Sequence, residues 1–142
     1  MQLALSTWHE VEEYLRHSRG IIIPVGSTEQ HGPNGLIGTD HLDAEFVAKG
    51  VGDKIAAMVG PTLAYGMSQH HLGFAGSVTL RPSTMIAMVG DIVHSLVRHG
   101  FERFFFINFD CAQTNHRSDP PADVRNAKQG SPHLNRQRRH RV

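Results

Sequence analysis

Hydrophobic positions in the first 110 residues switch between a helical spacing and short apolar runs. Helical spacing predicts three helices, over residues 8–20, from residue 40 to about residue 55, and over 83–99. Apolar runs predict strands at 21–25, 59–63 and 103–108, with a short additional strand at 77–80. Helices and strands that alternate in this way predict an α/β fold, here a three-layer α/β/α arrangement around a mostly parallel sheet.

Two of these elements carry specific packing predictions. The first helix begins with a capping box, in which Thr7 and Glu10 would satisfy each other's backbone N–H groups. The strand at 103–108 contains three consecutive phenylalanines and is expected to be buried. The second helix is predicted to pack through one stripe of large apolar residues, which consists of Leu42, Phe46, Val47, Val51 and Ile55.

Composition divides the chain at residue 111. Residues 1–110 hold all ten aromatic residues and 7 Lys and Arg against 11 Asp and Glu, a net charge of −4. Residues 111–142 hold 7 apolar residues and 7 Lys and Arg against 2 Asp and Glu, a net charge of +5. A segment with so little apolar surface cannot offset the entropy of ordering itself. We therefore expect a folded portion over 1–110 and a basic, disordered tail over 111–142.

Cysteine content, hydropathy and charge predict where the protein is located and which partners are disfavoured. Cys111 is the only cysteine, which excludes an intrachain disulfide and favours the cytoplasm. No apolar run reaches the ~18 residues of a membrane span, and the first residues do not have the pattern of a signal peptide. The arginine-rich end of the tail, at 136–141, could contact phosphates, but no aromatic residue is interleaved to stack on bases. Nucleic acid is therefore a disfavoured partner.

A cluster of metal-ligand residue types follows the first predicted strand. Glu29 and His31 stand two residues apart in a glycine-rich turn, and Asp40 comes nine residues later at the start of a helix. In an open α/β sheet, ligands bind beyond the carboxyl ends of the strands, where this turn lies. Two carboxylates and an imidazole suit zinc, manganese or iron(II) better than calcium or magnesium. From spacing alone, however, a solvated turn is the commoner explanation of such a pattern.

The whole segment from Pro24 to Asp40 resembles the creatininase family of metal-dependent amidohydrolases almost residue for residue. The resemblance covers residues 8–108. Outside that segment, the matching positions are Pro61, Tyr65-Gly66, Ser68, His70-His71, Phe74 to Leu80 and Arg98 to Phe101.

The resemblance implies two divalent ions, zinc or manganese, with iron also compatible. It assigns Glu29, His31 and Asp40 as ligands, with Asp40 bridging both ions. A water activated by the ions would hydrolyse a C–N amide bond, cyclic or linear, in a small-molecule substrate, and no side chain is assigned as catalytic beyond that water. His70 and His71 match a substrate-facing segment, although an ordinary polar loop explains them equally well. The family further implies a homo-oligomer.

The resemblance ends where the family has Asn-Gly-His. This chain reads Asn108-Phe109-Asp110, so Asp110 stands in the place of a histidine ligand, and Ala112 occupies a later ligand position. Nothing after it resembles the family, so the sheet is expected to be incomplete, with apolar faces uncovered. Two hypotheses remain open. The chain is either a creatininase-like amidohydrolase or a truncated, non-catalytic remnant that keeps residual metal binding.

Overall fold

A computed structural model describes residues 1–109, so Asp110, Ala112 and the predicted tail lie outside the described residues. The described residues form a three-stranded parallel sheet, in which Gly20–Val25 (β1) lies between Met58–Val59 (β2) and Arg103–Asn108 (β3), and this confirms the predicted α/β class. None of the described helices is long and apolar enough to cross a lipid bilayer. The elements are α1 (Trp8–Leu15), β1 (Gly20–Val25), α2 (Thr39–Ile55), β2 (Met58–Val59), α3 (Pro82–Arg98) and β3 (Arg103–Asn108), with 3-10 turns at Leu3–Leu5 and Gln69–His71.

The central strand β1 is covered on both faces, which explains why it is wholly apolar. Successive side chains of a strand point to opposite faces of the sheet. Ile21 and Ile23 accordingly belong to one core cluster, and Ile22 packs with Ala48 of α2 in another. Helices α1 and α3 cover the first face through partly buried residues that include Val11, Leu15, Ile92 and Leu96. The predicted three layers are therefore present.

The packing face of α2 differs from the predicted stripe. Phe46 is 81% exposed, and Leu42, Val47 and Ile55 are exposed as well. Small residues at a spacing of four face the sheet because they let the helix approach closely. A Cβ atom added at Gly52 would lie only 2.4 Å from Cγ2 of Val59. The buried positions are Asp40, Ala44, Ala48 and Gly52.

The prediction that β3 is buried was also wrong. Phe105 is 64% exposed and Phe106 is 39% exposed. Within residues 1–109, β3 pairs only with β1 and forms one edge of the sheet. No further described strand lies beside its outer edge. The exposed phenylalanines, together with Phe46 on α2, agree with the expectation that apolar faces are left uncovered.

Three element boundaries also differ from the predictions. Helix α1 ends at Leu15 rather than near residue 20, because the chain turns with bonds from the N–H groups of His17 and Ser18 to the Tyr14 carbonyl. In place of the strand predicted at 59–63, the structure has the two-residue strand β2 and one isolated β-bridge at Leu63. Pro61 has no N–H with which to continue the hydrogen-bond ladder. The segment 77–80 forms a single antiparallel bridge to Thr28 rather than a strand.

Two glycines of α2 test the close approach of this helix. We expect Gly52→Ala to lower the free energy of unfolding by about 1–3 kcal/mol, because its methyl group would overlap the stiff side chain of Val59. Gly50 is the matched control, with no atom within 4 Å of an added Cβ. Gly50→Ala should instead stabilise by up to about 1 kcal/mol through helix propensity. Urea denaturation of both variants measures the difference, and equal effects would contradict the packing argument.

Candidate metal centre

The end of β1 and the start of α2 are in direct backbone contact. A Cβ atom at Gly26 would lie 2.4 Å from the backbone nitrogen of His41 and 2.6 Å from the carbonyl carbon of Asp40. Only glycine allows this approach without a backbone shift. The ring Nδ1 of His41 donates a hydrogen bond to the Ser27 carbonyl at 2.9 Å, which ties the two segments together. The first turn of α2 is therefore held against the loop that follows β1.

This contact brings the three predicted metal ligands together. One ligand atom from each of Glu29, His31 and Asp40 lies within 4.8 Å of the others. Glu29 and Asp40 are buried, with exposed fractions of 5% and 8%, whereas the His31 side chain is 28% exposed. The backbone N–H of Glu29 donates to the Ile37 carbonyl at 2.9 Å and fixes the loop across its own turn. The cluster thus has two buried carboxylates and one imidazole that reaches solvent.

The orientation of the His31 ring is set by its neighbours. Its Nδ1 donates to the Glu29 carbonyl at 3.1 Å, and its Nε2 lies 2.9 Å from Oδ1 of Asp40. The hydrogen bond to the Glu29 carbonyl, aided by the nearby Asp40 carboxylate, raises the pKa of His31. In the neutral ring, the Nε2 lone pair would face a carboxylate oxygen, so a proton or another cation between them is favoured. Metal-ligating histidines commonly donate the other ring N–H to a carbonyl in this way.

The Glu29 carboxylate also needs a positive partner. Its Oε2 is buried and has no hydrogen-bond partner among the described residues. Its Oε1 lies 3.6 Å from Nε2 of His71. Leaving a buried carboxylate oxygen without a partner is unfavourable by a few kcal/mol. The donor set therefore fits a divalent cation that carboxylates and imidazole can bind.

Glu29 belongs to a second group as well, with His70 and His71, whose ligand atoms also lie within 4.8 Å of one another. The sequence predicts these two histidines as substrate-facing or as loop residues, and it gives no sign that they lie close to Glu29. The miss has a simple cause, since the 3-10 turn Gln69–His71 is far from Glu29 in sequence and its histidines show no periodic pattern. Asp110, the fourth predicted ligand, lies outside the described residues.

A parallel α/β sheet with a carboxylate and histidine cluster at its carboxyl edge agrees with what the resemblance implied. A family model described as "Creatininase: Creatinine amidohydrolase" matches residues 4–128, so the chain belongs to the creatininase family. The match extends beyond Ala112, so the expectation that nothing after that residue resembles the family was wrong. It is 36% identical over 108 residues to the creatinine amidohydrolase of Pseudomonas putida, a match that covers 72% of this chain and 42% of that protein. It is 32% identical over 103 residues to the 3-dehydro-scyllo-inosose hydrolase of Thermotoga maritima, covering 72% and 33% respectively.

Solved structures agree with the sequence relatives. A mutant creatininase described as the "Zn-Zn type" superimposes with a TM-score of 0.74 at 31% identity, covering 80% of this chain and 46% of that one. A structure described as "Creatininase Mn" has a TM-score of 0.72 at 32% identity, covering 76% and 44%. The chain therefore spans less than half the length of each of these relatives.

The raised pKa of His31 predicts opposite effects of pH with and without metal. In a chelator, the protonated ring stabilises the fold, so this contribution is fully present below about pH 6.5 and is lost as the pH rises through the folded-state pKa. With added zinc the sign reverses, because the ion competes with that proton and stabilises more at higher pH. Melting temperatures between about pH 5 and pH 8.5 measure both slopes.

His31→Gln should flatten both slopes, whereas His94→Gln, at an exposed position of α3, should leave them unchanged. Wild-type slopes in the His31 variant would show that another group is responsible.

Proposed function

We propose that this chain carries part of the metal centre of an amidohydrolase that cleaves a C–N amide bond, cyclic or linear, in a small-molecule substrate. The observation that carries the proposal is the opposition of His31 Nε2 and Asp40 Oδ1 at 2.9 Å, with the other ring nitrogen already donating to a carbonyl. A cation held between these two atoms would satisfy both of them. Membership in the creatininase family and the hydrolase names of the two relatives support hydrolysis as the chemistry.

Three residues would supply the ligands of a divalent ion. Glu29 and Asp40 would supply oxygen ligands and His31 a nitrogen ligand, a set that suits zinc or manganese and also accepts iron. The "Zn-Zn" and "Mn" creatininase structures favour the first two metals. Bound there, the ion would polarise an amide carbonyl and lower the pKa of water. The contact between the start of α2 and the loop after β1 keeps the buried carboxylates in place. The Glu29 carbonyl orients the His31 ring.

Two further parts of the proposal concern partners. His70 and His71 border the Glu29 side of the cluster, where an amide substrate would approach. The exposed apolar residues Phe46 and Phe105 favour association with other copies of the chain, as the family resemblance implies.

A non-catalytic remnant that still binds metal is the second candidate. It is favoured by the sequence at the end of β3, where Phe109 and Asp110 replace the glycine and histidine expected from the family, and by Ala112 at a later ligand position. The two candidates agree on metal binding and differ on turnover, so binding and hydrolysis need separate measurements.

Metal binding is tested on the full 142-residue chain. After dialysis against zinc or manganese, wild-type protein should retain bound metal. Asp40→Asn should weaken binding by at least about 100-fold, because it removes a charged ligand from a buried site. Asp43→Asn, at an exposed position of the same helix, is the matched control and should bind like wild type. Equal metal content in wild type and Asp40→Asn would overturn both candidates.

Turnover is tested with the metal-loaded chain on cyclic and linear amides. The amidohydrolase predicts hydrolysis that Asp40→Asn abolishes. Metal binding without hydrolysis of any tested amide would favour the remnant.

A further inference from the structure

The contact between Glu29 and His71 has the geometry of two ligands of one ion. Glu29 Oε1 and His71 Nε2 are 3.6 Å apart, which is longer than a hydrogen bond. Two ligand atoms at about 2.0–2.2 Å from a tetrahedral zinc ion lie roughly 3.4 Å from each other. The side chains of Glu29 and His71 are 6% and 21% exposed, so both are largely shielded from water.

We propose that His71 is a metal ligand of this chain, binding through Nε2 the ion that Glu29 holds, and that Gln30 positions its ring. The inference rests on the proposed function, because it adds a ligand to the same centre. Glu29 belongs to both possible ligand groups, so its carboxylate connects the His31 and Asp40 side with the His71 side.

The ligand set expected for this chain is short of one histidine. Family resemblance places a histidine where Asp110 stands, so one imidazole is missing from the expected ligand set. His71 supplies an imidazole from a different segment, the 3-10 turn before the Thr28–Val78 bridge. The segment that follows this turn is tied to the ligand loop by the bond from the Gln30 N–H to the Ser77 hydroxyl at 3.2 Å.

The two adjacent histidines differ in how they are held. The ring of His71 is fixed on the side away from Glu29, where its Nδ1 accepts a hydrogen bond from Gln30 Nε2 at 2.8 Å. Its backbone N–H bonds to the Ser68 carbonyl at 3.0 Å. The neighbouring His70 is exposed, and its ring stacks against His71 at a centroid distance of 3.9 Å. The ligand role is therefore assigned to His71, and His94, at an exposed position of α3, serves as a control outside the site.

Gln30 determines which ring nitrogen carries hydrogen. Its Oε1 accepts from the Gly32 N–H at 2.8 Å, so its Nε2 is the donor to His71 and leaves the hydrogen on Nε2 of the ring. Binding an ion through that nitrogen requires the hydrogen to move to Nδ1 and the amide to turn, so that its oxygen accepts it. The exposed Gly32 N–H can then bond to water. Metal binding at His71 is thus coupled to the Gln30 amide.

The test measures zinc affinity of the full chain by competition with a chromophoric chelator. His71→Ala should weaken binding of at least one zinc ion by about 10- to 100-fold, and His94→Ala should change it by less than about twofold. With cobalt(II) in place of zinc, the visible absorption bands should shift in the His71 variant and not in the His94 variant. Far-UV circular dichroism in a chelator checks that each variant is folded. If His71→Ala does not fold, His71→Asn takes its place.

The role of Gln30 is tested by a pair of variants. Gln30→Leu removes the side-chain amide, which can then neither donate a hydrogen bond to Nδ1 of His71 nor accept one from it. Zinc binding should therefore weaken several-fold. Gln30→Glu accepts the Nδ1 hydrogen without turning, and it should bind zinc at least as tightly as wild type. Wild-type affinity in Gln30→Leu would overturn the positioning role.

The outcomes separate this inference from the function on which it rests. Equal zinc affinity and equal cobalt spectra in the His71 and His94 variants, with binding still lost in Asp40→Asn, would overturn the ligand role of His71 and leave the proposed function standing. A wild-type chain that binds no zinc, manganese or cobalt would overturn both. Selective weakening in His71→Ala would support the assignment.

Discussion

The close backbone contact between Gly26 and the first turn of α2 is the constraint on which the candidate centre depends. A side chain at position 26 would overlap the backbone of Asp40 and His41, so the contact exists only because the residue is glycine. It places a helix start directly beside the loop after β1. Two carboxylates and an imidazole that are separate in sequence then share one small volume.

The same close approach continues along α2 and shapes the rest of the fold. Ala44, Ala48 and Gly52 face the sheet at a spacing of four residues, and Asp40 begins this face. A helix that packs through small residues comes near enough for its first acidic side chain to reach the carboxyl edge of β1. Most of the larger apolar residues of α2, Phe46 among them, lie exposed on the outer surface, whereas Val51 packs against the core. The geometry of the site and the exposed apolar face of α2 thus both follow from the packing of this helix through small residues.

Electrostatics gives the cluster its chemical character. Glu29 and Asp40 are buried negative groups, and burial without compensation is unfavourable for a charge. The hydrogen bond to the Glu29 carbonyl and the nearby Asp40 carboxylate raise the pKa of His31, which favours a positive charge on this ring. A divalent ion would compensate more completely, because it can satisfy Glu29 Oε2 as well. The centre is therefore arranged for a cation before any substrate binds.

Local patterns were enough to predict the helices, the capped start of α1 and the central apolar strand, and the family resemblance predicted the three residues that meet at the end of that strand. These features depend on spacing along the chain. The buried face of α2 and the edge position of β3 within the described residues depend instead on how closely elements approach and on which neighbours they have, so local patterns did not predict them. The tertiary structure also brought His71 to Glu29, a contact between distant segments that no local pattern encodes.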